Sequence, residues 1–419
     1  MPEGIFKSTK TEPEFSTLKS MDSFSTEDNE RNTIPAQNSW SASSQQKRLD
    51  FLSHKTGADI NAIAGEAADP QPENLKGNIE NFIGMTRIPT GIVGPLQVHG
   101  SEASGDYFVP MATSEGALVA SYNRGARATM LSGGVVSLCL LEALQRAPVF
   151  KFSTLSEAIL FGNWAMENLN HFKSIVEQTS RFALLKQLKI NIEGNVAILI
   201  FEFTTGEASG QNMVTICTNA VCQFIVHRAP TNPDHWFIEG NFSGDKKATA
   251  TALSHVRGKK VSAEAVIPQK ILKTILNTTA SKIAQYWITS VIGTAQSGGI
   301  GLQGHFANGL TAMFLATGQD VACVAESYIG ITRMEVTGTA DLYISVTLPG
   351  LMVGTIGGGT WLPTARNCLD VMGCSGPGSA RKLAEIMTAN ILCGELSIAA
   401  AMASQDFARA HKLLGRKRK

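Results

Sequence analysis

Acid–base chemistry needs ionisable groups held in a setting that the chain controls. The segment Val109–Arg127, VPMATSEGALVASYNRGAR, offers one: Glu115, Ser121, Asn123 and Arg124 are set into an otherwise small, apolar run. Thr113 and Ser114 are good N-cap residues, breakers are few from Ala117 to Met130, and Gly133-Gly134 ends the run. The spacing therefore predicts a helix with Glu115 in its first turn. A glutamate there also serves simply to complement the helix dipole. The hydroxyl, amide and guanidinium donors of Ser121, Asn123 and Arg124 suit phosphate oxygens, and a solvated helix face accounts for them equally well. In EGNFSGDKK (Glu239–Lys247) a lysine is either aimed at a developing oxyanion or part of an exposed turn. The glycines of GLMVGTIGGGT (Gly350–Thr360) suit a nest of backbone N–H groups around an anion, although GTIGGG is not the GxGxxG fingerprint.

Positioning these residues requires a substantial scaffold. Residues 1–44 are rich in Ser, Thr, Asn and Glu with few aliphatics, the composition of a flexible tail. Helix is expected from near Gln45. Glu80–Gly100 reads as strand broken by tight turns, since Gly84, Pro89, Gly91, Gly94 and Pro95 punctuate β-branched residues. A helical pattern covers Glu157–Glu177, strands Phe182–Ile190 and Ala197–Thr204, and a helix Met213–Val226, together a compact α+β unit. Beyond it come a strand at Val261–Ile267, a helix from Pro268 to Trp287, and the glycine-dense stretch Gly293–Leu310. A helix through Leu315, strands at Ile331–Val336 and Leu342–Leu348, and a last long helix at Ala380–Ala403 complete the reading. That helix carries Glu395 and leads to His411.

The 419 residues are 43% hydrophobic and 17% charged, an ordinary globular balance with room for two or three domains. With 36 Lys+Arg against 35 Asp+Glu, wide nucleic-acid binding is not expected, although the chain ends in the basic run GRKRK (Gly415–Lys419). Seven scattered cysteines without a CxxC pair fit reduced, buried thiols, and no metal site is expected. The chain opens without a signal-peptide pattern and lacks an uninterrupted apolar run of about 18 residues, so a soluble, cytoplasmic protein with no membrane segment is expected.

The motifs ENFIG (Glu80–Gly84), VPMATSEG (Val109–Gly116), SYNRG (Ser121–Gly125), GDKK (Gly244–Lys247), GQD (Gly318–Asp320), GTIGGGT (Gly354–Thr360), GELS (Gly394–Ser397) and His411 occur in a familiar order. From about residue 46 to 416 the chain resembles the catalytic portion of the 3-hydroxy-3-methylglutaryl-CoA (HMG-CoA) reductases. The resemblance implies an enzyme that reduces HMG-CoA to mevalonate and CoA in two hydride transfers, with NADPH favoured over NADH and no metal. It also implies an α+β fold: a helical region at 45–79, a large substrate domain at 80–147 and 239–419 around a long central helix, and an inserted ferredoxin-like dinucleotide domain at 148–238. The expected assembly is a homodimer or homotetramer with active sites shared between subunits.

By the same resemblance Glu115, Lys246, Asp320 and His411 are catalytic. A carboxylate near Glu115 would raise one pKa of the pair and keep a proton available for the alkoxide, and Asp320 suits that role. Lys246 would stabilise the substrate oxygen as charge builds on it, and His411 would protonate the departing thiolate. Ser121, Asn123 and Arg124 match a CoA-phosphate site; Asn241, His305 and Asn308 match polar positions around the substrate; Arg146, counted with the substrate-binding residues, matches an arginine at the join of the large and small domains; Ser180 and Arg181 match the adenosine end of the dinucleotide. The family's DAMGMN motif stands here as EASGQN (Glu207–Asn212), keeping an acid at Glu207 together with Gly210 and Asn212. The lysine that grips the substrate's terminal carboxylate in animal-type enzymes has no match in YWITSVIG (Tyr286–Gly293), which leaves Lys247 as the candidate cation. Asn277 replaces a lysine that assists CoA binding, and Lys417 stands where animal enzymes carry a regulatory serine. Two alternatives to an active reductase are a non-catalytic CoA-binding relative with a drifted cofactor motif and an NAD-linked enzyme of mevalonate breakdown. The four matching catalytic positions argue against the first.

Overall fold

In a computed structural model the chain is described over residues 32–37 and 39–405, so His411 and the terminal GRKRK lie outside the described residues. Helix α1 (Ala42–Thr56) starts at Ser41, whose hydroxyl accepts from the Ser44 N–H, and stops at Gly57 in the left-handed region. It thus begins before Gln45, inside the segment whose composition suggested a tail. One turn, α2 (Asn61–Ala64), follows. Of Glu80–Gly100 only the second half is strand: β1 (Thr90–Gly100) forms an antiparallel pair with β2 (Ser104–Ala112), whereas residues 80–89 have no regular structure. Helix α3 (Leu118–Met130) and strand β3 (Val135–Arg146) come next, with β3 parallel to β1.

Strand β4 (Val149–Lys151), helices α4 (Leu155–Glu167) and α5 (Leu169–Thr179), strands β5 (Leu184–Glu193) and β6 (Val196–Thr204), helix α6 (Gln211–Arg228) and strand β7 (His235–Phe237) make the α+β stretch. Thr154 and Glu157 form a reciprocal capping box at the start of α4. The helix expected at 157–177 is two helices, because the Asn168 amide turns back to the Trp164 carbonyl at 2.9 Å and ends the first. Phe150, Phe152, Phe161, Phe172, Phe201 and Phe203 are all buried here, in contacts at ring-centroid distances such as 4.9 Å for Phe150–Phe161. Strand β6 pairs with β4 and β5 and, through Phe201–Phe203, with the end of β3, so this unit is continuous with the main sheet.

The remaining chain adds β8 (Gly258–Ile267), α7 (Gln269–Thr274), α8 (Ala280–Ser297), α9 (Phe306–Ala316), α10 (Val324–Ser327), β9 (Ile331–Val336), β10 (Leu342–Leu351), α11 (Pro363–Val371) and α12 (Ser379–Ala403). The expected helix Pro268–Trp287 is interrupted: Asn277 adopts φ 53°, and Thr279 accepts from the Lys282 N–H to start α8. Because α8 runs to Ser297, the glycine-dense stretch begins inside a helix. The sheet runs β7-β4-β6-β3-β8-β10-β9, with β1, β2 and β5 off this path, and β1–β3 is its parallel pair.

Helix α12 packs against α3, α8, α9, β3, β8 and β10. Every residue from Leu383 to Ser397 is buried, so a helix long and apolar enough to cross a membrane instead lies inside the protein. Its neighbours approach so closely that glycine is required. A Cβ on Gly125 of α3 would lie 1.9 Å from the Cys393 carbonyl oxygen, and one on Gly309 of α9 would lie 2.0 Å from the Tyr122 hydroxyl. We expect Gly125→Ala to destabilise the protein by about 3 kcal/mol, because backbone and not a flexible side chain would have to move. Urea unfolding checks this, and an unchanged midpoint would refute the close contact.

Candidate active site

Glu115 lies in a turn between β2 and α3, not in the first turn of the helix. Ala117, at φ 71°, redirects the chain, so α3 starts at Leu118 and has no side-chain cap. The Thr113 hydroxyl accepts from the Glu115 N–H at 3.0 Å, shaping the turn and leaving the helix uncapped. One Glu115 carboxylate oxygen accepts from Asn308 Nδ2 at 2.8 Å, and Asn308 lies in the first turn of α9.

Lys246 lies in the loop between β7 and β8, with its backbone in the left-handed region at φ 54°. Its ammonium meets Asp320 at 2.8 Å, and that hydrogen bond, with the aspartate's charge, pushes the lysine pKa up. Both side chains are about half exposed, at 43% and 50%. The other Asp320 oxygen accepts from the Ala322 N–H at 3.1 Å, which fixes the carboxylate. The carboxylates expected to share a proton therefore have different partners: Asp320 holds Lys246, and Glu115 is held by Asn308.

Beneath the lysine loop is a buried charge network. Asp245 forms ion pairs with Arg146 at 3.0 Å and Arg257 at 2.8 Å, and Arg257 also pairs with Glu326. Glu326 accepts from the Lys246 N–H at 3.3 Å, and Glu239 holds Ser243 Oγ at 2.8 Å and Arg146 at 3.4 Å. Burial pushes the Glu326 carboxyl up despite Arg257. Burial acts the same way on Asp245, but the two guanidinium groups prevail and hold its carboxyl below the ordinary value. Arg146, expected at the substrate, is 6% exposed and braces this loop. Lys247 is exposed and donates to the Asp245 carbonyl at 2.9 Å; Asn241 is exposed at φ 65°.

The α3 donors turn inward. Ser121 Oγ lies 2.9 Å from Ser397 Oγ, Arg124 Nη2 donates to the Ser397 carbonyl at 2.6 Å, and Asn123 accepts from the Gly94 N–H at 3.1 Å. They tie α3 to α12 and β1, so the solvated-face alternative does not hold. His305, just ahead of α9, pairs through Nδ1 with Glu395 of α12 at 2.8 Å.

Three separated motifs are knitted together next to Lys246 and Asp320. The Gln319 side chain exchanges two 2.9 Å hydrogen bonds with the Gly354 backbone. The Glu207 carbonyl accepts from the Thr355 N–H at 2.8 Å, and Gln211 Nε2, at the start of α6, donates to Cys323 Sγ at 2.7 Å. Gly354 is indispensable there, since a Cβ would lie 2.4 Å from the Ser209 nitrogen. The Glu207 carboxylate, expected at the cofactor, accepts from the Gly378 and Ala380 N–H groups at 2.7 Å each and so caps α12. Gly210 takes φ 82° to start α6, and Asn212 is exposed on its first turn. Ser180 caps the α5–β5 turn by accepting from the Phe182 and Ala183 N–H groups at 3.2 Å, beside the exposed Arg181. Sequence reasoning missed Asp245, Arg257, Glu326 and Ser397 as site-building residues. The available signal was Glu326 in the apolar run ACVAESYIG, where an isolated acid implies a buried partner.

Residues 44–416 match the family model described as hydroxymethylglutaryl-coenzyme A reductase. The chain belongs to that family. The 3-hydroxy-3-methylglutaryl-coenzyme A reductase of Pyrococcus abyssi is 43% identical over 376 residues, 88% of this chain and 92% of that protein. The Aeropyrum pernix protein of the same name is 43% identical over 372 residues, covering 87% and 88% of the two chains. The fold matches the class II 3-hydroxy-3-methylglutaryl-CoA reductase of Streptococcus pneumoniae bound to NADPH, with a TM-score of 0.69 and 19% identity over 87% of this chain and 100% of that one.

Asp245 yields a test of the network. Its folded pKa is depressed, so its contribution is present above the ordinary 3.8 and is lost as pH falls through the folded value. Asp245→Asn should cost about 3 kcal/mol at neutral pH, the order of a broken buried pair. That gap should narrow below pH 3.8 in urea titrations of both proteins; a gap constant with pH would contradict the assignment.

Proposed function

We propose that this chain reduces HMG-CoA to mevalonate and CoA with NADPH, as a step of the mevalonate pathway, and that Lys246 and Glu115 act on the reacting carbon's oxygen. The observation that carries the reading is the Lys246–Asp320 pair at 2.8 Å beside the start of α6 and the glycine loop. Lys246, held by Asp320, stabilises the oxygen as it gains charge. Glu115, one oxygen fixed by Asn308, keeps the other for proton donation to the alkoxide. His411, outside the described residues, takes the proton-donor role toward the thiolate by resemblance. Ser121, Asn123 and Arg124 serve the CoA phosphates by exchanging or sharing their contacts to Ser397 and β1. Lys247, Asn241 and His305 stand as the polar residues around the substrate acid.

The cofactor would lie across the exposed Gly357-Gly358 turn and the first turn of α6. Both glycines have positive φ, and a Cβ at either would meet nothing within 4 Å, which leaves room for phosphate oxygens at backbone N–H groups. When bound, each nicotinamide supplies one hydride, so two cofactors are consumed in succession per substrate. Asn212 and Gly210 border that position, with Ser180 and Arg181 toward the adenosine end. On this reading β4–β7 and α4–α6 form the inserted ferredoxin-like unit at 148–238, and α12 is the central helix of the large domain. A second copy of the chain covers residues 76–89, where Ile79, Ile83 and Ile88 are exposed.

Stopped assays of NADPH oxidation with HMG-CoA test the proposal. We expect two NADPH consumed per HMG-CoA, and a loss of about 10²–10³-fold in kcat for Lys246→Ala, the order seen when one oxyanion donor is removed. Glu115→Gln should lose turnover while retaining substrate binding. A folded protein that binds CoA but oxidises neither NADPH nor NADH would overturn the reading.

A further inference from the structure

Helix α12 buries a second acid whose surroundings lead to Glu115. Glu395 is 2% exposed and, among the described residues, forms no ion pair with a lysine or arginine. One carboxylate oxygen accepts from the Gly304 N–H and from Thr332 Oγ1, both at 2.7 Å. The other accepts from the His305 N–H and lies 2.8 Å from His305 Nδ1. Three of these four contacts thus come from two consecutive residues that open α9. Gly304 permits the approach, since a Cβ there would lie 3.2 Å from both carboxylate oxygens.

These contacts make the acid a clamp on one helix end. Burial would push the Glu395 carboxyl up, but the hydrogen bond and charge of His305 and the surrounding donors hold it below its ordinary value. A carboxylate only accepts, so His305 carries a proton on Nδ1. The Asn308 N–H, in turn, donates to the His305 carbonyl at 3.1 Å, and Asn308 Nδ2 holds Glu115 at 2.8 Å. Among the described residues Asn308 is the side chain that holds the Glu115 carboxylate. Among the described residues the other ionisable groups facing Glu395 are Tyr286 of α8 and Tyr122 of α3, and Tyr122 also senses Glu115.

We infer that Glu395 is a positioning residue for Glu115: it fixes the Gly304–His305 entry to α9, the entry orients Asn308, and Asn308 aims the carboxyl that handles the proton. The inference rests on the reductase reading for its kinetic consequence but not for its geometric one. Glutamine at 395 keeps the shape but in either orientation turns its NH₂ toward a backbone N–H donor, that of Gly304 or of His305, so the clamp must loosen.

Kinetics and spectroscopy of the full chain separate positioning from general stability. Glu395→Gln should lower kcat about 10-fold or more with KM for HMG-CoA nearly unchanged. The same substitution in an Asn308→Ala background should add almost nothing, because the linkage is already cut. Glu385→Gln, which removes a comparable buried carboxylate on the same helix away from α9, should lose stability yet remain additive with Asn308→Ala. Independently of turnover, the Asn308 side-chain amide resonances, assigned by their loss in Asn308→Ala, should shift in Glu395→Gln. Unshifted amide resonances, or a kcat loss fully additive with Asn308→Ala, would overturn the inference. An inactive wild-type protein whose amide signals do shift would count against the reductase reading and leave the positioning chain supported.

Discussion

Satisfying two carboxylates inside a helix buried throughout Leu383–Ser397 is the constraint on which the rest of the fold depends. An isolated ionised acid in such a place costs several kcal/mol, so each must be met by donors from other segments. Glu385 receives the Ser101 hydroxyl at 2.8 Å and the N–H groups of Glu102, Ala103 and Cys139 at 2.8–3.0 Å, which pins the β1–β2 turn and β3 to the helix. Glu395 does the same for the start of α9 and for β9. A third acid, Glu207, reaches the helix from outside and caps its first turn. Elements far apart in sequence are thereby set in one register along a single 25-residue axis.

The exposed chemistry rests on this rigid base and on a second one made of charge. Lys246 is half exposed, and its position cannot come from packing. Its backbone is held by Glu326, and its neighbour Asp245 is locked between Arg146 and Arg257. In a buried array of this kind each charge is costly to strand, so the network tolerates little rearrangement. The lysine head, half exposed, is paired only at the surface with Asp320, whereas the loop below it is tied by buried ion pairs. That division suits a cation that must follow a developing negative charge without reorganising its support.

Family membership accounts for the common frame, and several residues expected at ligands have partners inside the chain. Glu207, expected at the cofactor, reaches to the Gly378 and Ala380 amides. The α3 residues expected at a phosphate are engaged with Ser397 and Gly94. Arg146 braces a loop. In each case a residue type suited to a ligand has found a partner within the chain, an outcome residue type cannot distinguish.

Much of the architecture could be read from the chain, because hydrophobic periodicity and capping are local. Strand β9 coincides with its expected limits at Ile331–Val336, and the last helix differs from expectation by one residue at its start. Three of the misreadings fall where one residue's backbone angle or side-chain hydrogen bond decides. Asn277 at φ 53° splits α7 from α8, Asn168 splits α4 from α5, and Ala117 at φ 71° delays α3 and leaves Glu115 ahead of the helix. The motifs themselves, in their order, determine the family, since so many separated matches depend on residue identity alone. Which acids meet which donors was decided only by the tertiary structure. Asp320 with Lys246, Glu115 with Asn308 and Glu395 with His305 are pairs separated by 74, 193 and 90 positions. Hydrogen bonds act over about 3 Å, and only the folded packing brings such distant residues within that range.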